Sequence, residues 1–173
     1  SRGRVLGLLA VVTRRALGPS AFVESVLRIF AVRVNAELER VAAQQALRAS
    51  QDSYRAIFEA SEDAIFVHDW DTGAILDANP QACASYGYSL EEFRRLRLAE
   101  ISSGVPPYTE EEGLGWIERA KAEGSVRFEW HRRSRDGSLH WDEVRLKAAR
   151  IGGQRRVLAF TREITETKEA ERV

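Results

Sequence analysis

Apolar and polar positions along the chain change period several times, and each change marks an element. Residues 5 to 12, Val-Leu-Gly-Leu-Leu-Ala-Val-Val, form a short apolar run that reads as a buried strand. Gly18-Pro19-Ser20 breaks the run, and Ser20 is placed to cap a helix. From Ala21 the spacing becomes helical. Leu27, Ala31, Val34, Leu38 and Val41 recur at alternating steps of four and three, a narrow seam of the kind that seeks a partner helix. In the same register Gln45, Arg48 and Asp52 turn the seam polar, while Leu47, Tyr54, Ile57 and Phe58 begin a new apolar face. The spacing therefore predicts one long helix over 21–60 whose buried face switches near residues 42 to 47.

Ala64 to Val67 and Ala74 to Leu76, joined by Asp71-Thr72-Gly73, read as a hairpin. Asn79-Pro80 starts a helix that stops at Gly87, with Asn as the cap and Pro at the first helical position. Ser89 with Glu92 is a capping box opening a second short helix. Thr109 followed by Glu110, Glu111 and Glu112 opens a third, expected to bury Leu114, Ile117 and Ala120 and to end near Gly124. Then strands take over. Val126, Phe128 and Trp130 alternate with Arg127, Glu129 and His131, and Asp136-Gly137 makes a hairpin turn into Leu139–Ile151. Val157-Leu158-Ala159-Phe160 is apolar on both faces, which predicts a central strand, placed beside the first. Thr165 is expected to cap a final helix over 166–173. Five antiparallel strands with short helices on one face, behind a long N-terminal helix, make an α+β fold.

Composition narrows the function. The 173 residues carry 26 Lys and Arg against 26 Asp and Glu, so no global basic excess points to nucleic acid. The longest apolar run falls well short of the ~20 residues of a membrane-spanning helix. One cysteine allows neither an internal disulfide nor a cysteine-built metal site. The chain opens with Ser1, contains no Met and shows no signal peptide, so it reads as a cytoplasmic piece of a longer protein. No nucleophile elbow, phosphate-cradling glycine loop or H-E-x-x-H motif is present, which argues against an enzyme. His68, His131 and His140 read as strand residues rather than metal ligands, Asp69 and Asp71 as turn formers, and Cys83 as a small core residue.

Several stretches together resemble the PAS sensory domains. They are Tyr54-Arg55-Ala56-Ile57-Phe58-Glu59, Asp71 to Pro80 with its Gly73, Ile75 and Asn79, Tyr86-Gly87-Tyr88-Ser89-Leu90-Glu91-Glu92, Arg135-Asp136-Gly137-Ser138, and the closing Glu163-Ile164-Thr165-Glu166. The last is similar to the family's "D-I-T-E" motif with Glu in place of Asp. The resemblance implies a PAS domain over 61–165. Residues 1–20 resemble the last strand of a GAF domain, residues 21–60 a signalling helix that connects the two, and 166–173 the start of an exit helix. Such strings belong mostly to bacterial sensor histidine kinases and diguanylate cyclases. The resemblance therefore implies a signal-transmission module of a two-component system, with a covalently linked upstream GAF domain and an output domain beyond Val173.

Within that resemblance, Tyr86, Trp116, Ile117, Phe128, Trp130, Leu158 and Phe160 are candidate pocket residues, which either fill the core or enclose an unidentified small ligand. Glu163, Ile164 and Thr165 form the expected transmission corner, with Arg135 as the basic partner of Glu163. The seam from Leu27 to Val41 implies a homodimer, and a ligand-free dimerisation scaffold is the alternative reading. Ser102 to Pro107 stands where light-sensing relatives carry their flavin-adduct cysteine, and the third helix lacks the histidine of haem-binding relatives. Both cofactors are therefore disfavoured by the resemblance.

Overall fold

In the computed structural model, residues 21–171 are described, so the strand expected within 1–20 lies outside the described residues. The chain divides into two units between Tyr54 and Arg55. Helix α1 (Ala21–Ala60) supplies all that is described of the first unit and runs on into the second. None of its residues is buried. Of the seam residues, Leu27 is half-buried, while Ala31, Val34, Leu38 and Val41 are exposed. Among the described residues, no helix is long and apolar enough to cross a membrane.

The second unit is one five-stranded antiparallel sheet with four short helices inserted between its second and third strands. Its strands are β1 (Ala64–Asp69), β2 (Ile75–Ala78), β3 (Ser125–Arg133), β4 (Leu139–Ile151) and β5 (Gln154–Glu163), in spatial order β2-β1-β5-β4-β3. The doubly apolar strand β5 is therefore central, paired with β1 through Phe66↔Ala159 and with β4 through Leu146↔Ala159.

Local chemistry sets the helix ends. In α2 (Pro80–Tyr86) the Asn79 side chain accepts from the Ala82 N–H, and Gly87 closes the helix at φ 81°, a left-handed conformation that glycine adopts without steric cost. In α3 (Leu90–Phe93) Ser89 and Glu92 complete the capping box in both directions. Helix α5 (Glu110–Glu123) is capped by Thr109 and carries three glutamates in its first turn, where the helix dipole favours negative charge.

Helix α4 (Leu98–Ile101) is an element that the sequence pattern does not reveal. Its N-cap is Arg97, which has no capping side-chain oxygen. The Glu100 carboxylate instead accepts from the Arg97 N–H at 2.8 Å. Leu114 also departs from expectation, being 38% exposed while Ile117 and Ala120 are buried. It sits at the helix edge against Gly73, where a Cβ would lie 2.8 Å from Leu114 Cδ2 and where φ is +72°. The turn at Gly73 thus needs glycine twice over.

The core lies between the helices and the sheet. Phe66, Tyr86 and Phe93 meet edge to face with ring centroids 5.2 to 5.9 Å apart, the arrangement that aligns ring edges with ring faces.

Candidate functional site

A cavity of about 70 Å³ opens between the inner face of the sheet and the helices. Strand period decides who reaches it. On β3 the in-phase residues Phe128 and Trp130 line it, on β4 Val144 and Leu146, and on β5 Ala159 and Thr161. Tyr86 of α2 and Ile117 of α5 close the helix side, joined by Leu98 and Ile101 of α4. Of the candidate pocket residues, Tyr86, Ile117, Phe128 and Trp130 are on this wall. Trp116 is not: it stacks on Phe128 at 4.2 Å, with Arg119 over its outer face at 4.4 Å. Leu158 and Phe160 alternate with the inward Val157, Ala159 and Thr161, so they lie on the opposite face of β5 and do not line the cavity. Phe160 instead lies among Asp63, Glu143, Arg145 and Arg162 in a shallow surface depression.

The residue the sequence reading passed over is His68. It is 5% exposed and on the cavity wall, reached because β1 keeps Phe66 and His68 in phase. Its Nδ1 lies 2.9 Å from the Gly73 carbonyl oxygen. A carbonyl can only accept, so Nδ1 carries the proton and Nε2 carries a lone pair. Burial pushes the ring's pKa below its ordinary value, against the opposing bond to Gly73. The unfolded chain then gains a proton below about pH 6.5, where the folded chain stays neutral. Stability tied to His68 is therefore whole above that pH and declines as pH falls from it toward the lower folded pKa. The melting temperature of the wild type should fall relative to that of His68→Leu between about pH 7 and pH 5. Parallel curves for the two proteins would show that the ring is not held neutral.

Next to the cavity lies a buried charge pair. Arg132, 1% exposed, donates through Nε to Asp142 Oδ1 at 3.0 Å and through Nη1 to the Ser85 carbonyl at 3.1 Å and to Ser134 Oγ. Its guanidinium lies 4.4 Å from the Tyr86 ring centroid, and the Tyr86 hydroxyl donates to Asp142 Oδ2 at 2.9 Å. Burial raises the Asp142 carboxyl above its ordinary range, opposed by Arg132. Burial also lifts the Tyr86 phenol well above its usual value, with the Asp142 charge adding to it.

The network continues to the end of the sheet. Arg132 Nη2 donates to Glu163 Oε2 at 2.9 Å, and Glu163 Oε1 meets His140 Nδ1 at 2.8 Å and the Thr165 hydroxyl at 2.9 Å. Partial burial would raise the Glu163 carboxyl, but the bonds from His140 and Thr165, with Arg132 close by, hold it below its ordinary value.

Two expectations are corrected here. The partner of Glu163 is Arg132, not Arg135, whose guanidinium pairs with Glu92 at 3.0 Å. Arg135 follows the end of β3, where its side chain leaves the sheet and meets α3. Thr165 is also not the side-chain cap of α6 (Thr165–Ala170). It is the first residue of that helix, and its hydroxyl accepts from the Trp141 N–H at 3.0 Å, while the Ile164 N–H donates to the Trp141 carbonyl at 2.7 Å. The start of α6 is thereby pinned to β4. Among the described residues, no group of three or more His, Cys, Asp or Glu is arranged to hold a metal ion.

Comparison with known proteins agrees with this geometry. Residues 52–121 match the family model described as PAS domain. The chain is 29% identical over 171 residues to the methyl sulfide methyltransferase-associated sensor of Methanosarcina acetivorans, and it spans 99% of itself but only 17% of that relative. Among solved structures it is similar to the PAS domain of an HTR-like protein from Haloarcula marismortui, at 28% identity and TM-score 0.61, covering 71% of this chain and 98% of that one. It is also similar to a domain of a sensory box sensor histidine kinase/response regulator from Geobacter sulfurreducens, at 29% identity and TM-score 0.52, covering 67% and 96%. The second unit, with five antiparallel strands around a small apolar cavity, has the PAS fold, residues 52–121 match the PAS domain model, and similar proteins are named as sensors or parts of them.

Proposed function

We propose that this chain is the sensing and relay module of a multidomain cytoplasmic signalling protein, with a sensor histidine kinase as the parent. It performs no catalysis of its own. The occupant of the cavity, or the state of a GAF domain ahead of α1, shifts the sheet, and the shift reaches the output domain through α6. The observation that carries this reading is one unbroken set of hydrogen bonds from cavity wall to exit helix: Tyr86 to Asp142, Asp142 to Arg132, Arg132 to Glu163, Glu163 to Thr165. A relay of this type needs two arrangements that differ by a few kcal/mol. The relative named a sensor and the domain from a sensor histidine kinase support the assignment. A diguanylate cyclase parent would use the same device.

The exposed residues Val34, Leu38 and Val41 on α1 are where a second copy would pair, in the manner of a coiled coil. A monomeric mass by light scattering would remove pairing from the reading and with it the scaffold alternative. The relay itself is tested by Thr165→Val in the intact signalling protein. That change removes the hydroxyl bonds to Glu163 and to the Trp141 N–H while keeping the side-chain volume. Autophosphorylation is expected to persist but to lose most of its response to the signal. Regulation indistinguishable from wild type would move the coupling point away from this corner.

A further inference from the structure

The cavity's polar groups share a pattern that specifies what they can bind. The Tyr86 hydroxyl donates to Asp142, the Ser102 hydroxyl to the Leu98 carbonyl at 2.6 Å, and the Trp130 indole N–H to Ser102 Oγ at 3.3 Å. The Thr161 hydroxyl engages the Tyr86 phenol. His68 donates through Nδ1 to Gly73. His68, Tyr86, Ser102 and Trp130 thus all direct their protons at the protein. What these four groups have left for an occupant is lone pairs, and the strongest neutral acceptor among them is the imidazole Nε2 of His68.

No cation on the wall compensates an anion, because the guanidinium of Arg132 is already held by Asp142 and Glu163. A carboxylate or phosphate would bring a desolvated charge against acceptors, which is strongly unfavourable. An apolar molecule without a donor would displace water from the Nε2 lone pair without replacing its hydrogen bond, which also costs affinity. The volume is small as well: a water needs roughly 10–15 Å³ on this scale, so about 70 Å³ holds about five non-hydrogen atoms.

We infer that the cavity selects a small neutral molecule, of about five non-hydrogen atoms, with an apolar body and one hydroxyl-type donor directed at Nε2 of His68. The inference rests on the reading of the cavity as the sensing site. It adds the class of ligand and the residue that reads it.

The test uses three probes of nearly equal size: 1-butanol, methyl propyl ether and butyrate. Each is titrated into the ¹⁵N-labelled protein while the amide shifts of Ser102 and Thr161 are followed. An apolar cavity alone would prefer the ether, which loses less hydration. The expected result is saturable binding of 1-butanol about fivefold tighter than of the ether, with no saturable shift for butyrate. In His68→Leu the alcohol-to-ether ratio should fall to about one or below. Should that variant not fold, the wild-type ratio decides by itself. Equal or tighter binding of the ether to wild type, saturable binding of butyrate, or an unchanged ratio in His68→Leu overturns the donor requirement but leaves a ligand site in place. Failure of all three probes to bind overturns the sensing cavity along with it.

Discussion

Replacing Arg132 with Ala is expected to destabilise the domain by about 3–5 kcal/mol, read as a lower denaturation midpoint in urea at unchanged slope. The side chains of Arg132 and Asp142 are 1% and 2% exposed, so the variant strands a carboxylate in the core beside the Tyr86 phenol. It also frees the Ser85 carbonyl and Ser134 Oγ, which the guanidinium holds together. Arg132→Lys should rescue little. An ammonium cannot serve Asp142, Ser85 and Glu163 in one plane, and it loses the flat contact with the Tyr86 ring. Removing both charges with Arg132→Met and Asp142→Leu should recover much of the loss, because a buried ion pair is often no more stabilising than apolar packing. That double variant separates two roles. If it folds well yet no longer transmits a signal, the pair exists for the relay. A loss below about 1 kcal/mol for Arg132→Ala would mean that water reaches Asp142 and that the pair is not buried in solution.

How far this site was legible depends on whether the chemistry is local. Caps and turns act over three or four residues, so Asn79-Pro80, Ser89 with Glu92, and Asp136-Gly137 could be read directly. The two-faced apolar strand at Val157 to Phe160 likewise announced its central position, since a strand covered on both sides has no polar face to alternate. Which of its faces meets the cavity was not local. The larger residues, Leu158 and Phe160, look like pocket residues, yet the helices lie over Val157, Ala159 and Thr161, whose small side chains leave the space.

Helix α4 was hidden because four residues carry no period and its cap is a backbone contact to Glu100. The Arg132 pair did leave a signal that period alone carries. Arg132 falls in phase with Val126, Phe128 and Trp130 on β3, and Asp142 in phase with Val144 and Leu146 on β4. A cation and an anion, each at an inward position of one hairpin, are candidates for a buried pair. His68 was similarly in phase with Phe66, and a histidine in register with a core phenylalanine marks a polar group facing the interior.

Asn79 joins three elements through one amide, and Asn79→Ala is expected to cost about 3–4 kcal/mol in guanidinium denaturation. The side chain is fully buried. Its Oδ1 accepts from the Ala82 N–H and from the Ile65 N–H, both at 2.9 Å. Its Nδ2 donates to the carbonyls of Phe58 at 3.1 Å and Asp63 at 3.0 Å. One residue therefore caps the start of α2, supports β1 and satisfies a carbonyl in the last turn of α1, where helix carbonyls lose their own partners. The cap alone accounts for about 1 kcal/mol, and the three other backbone groups add to it because alanine leaves them without this partner in a buried setting.

Asn79→Ser should fall between the two, since a serine hydroxyl can still cap Ala82 but cannot reach Phe58 and Asp63 as well. The order wild type, Ser, Ala in midpoint is thus the expected result. A loss for Asn79→Ala no larger than that of a cap would show that the bonds to Phe58 and Asp63 contribute little. With them intact, hydrogen bonds tie the end of α1 to the domain at a point where Ile57 is 75% exposed and Phe58 is half-buried. In the relay proposed above, such a joint would couple α1 to β1 and α2 together, through the Phe58 carbonyl and the N–H groups of Ile65 and Ala82.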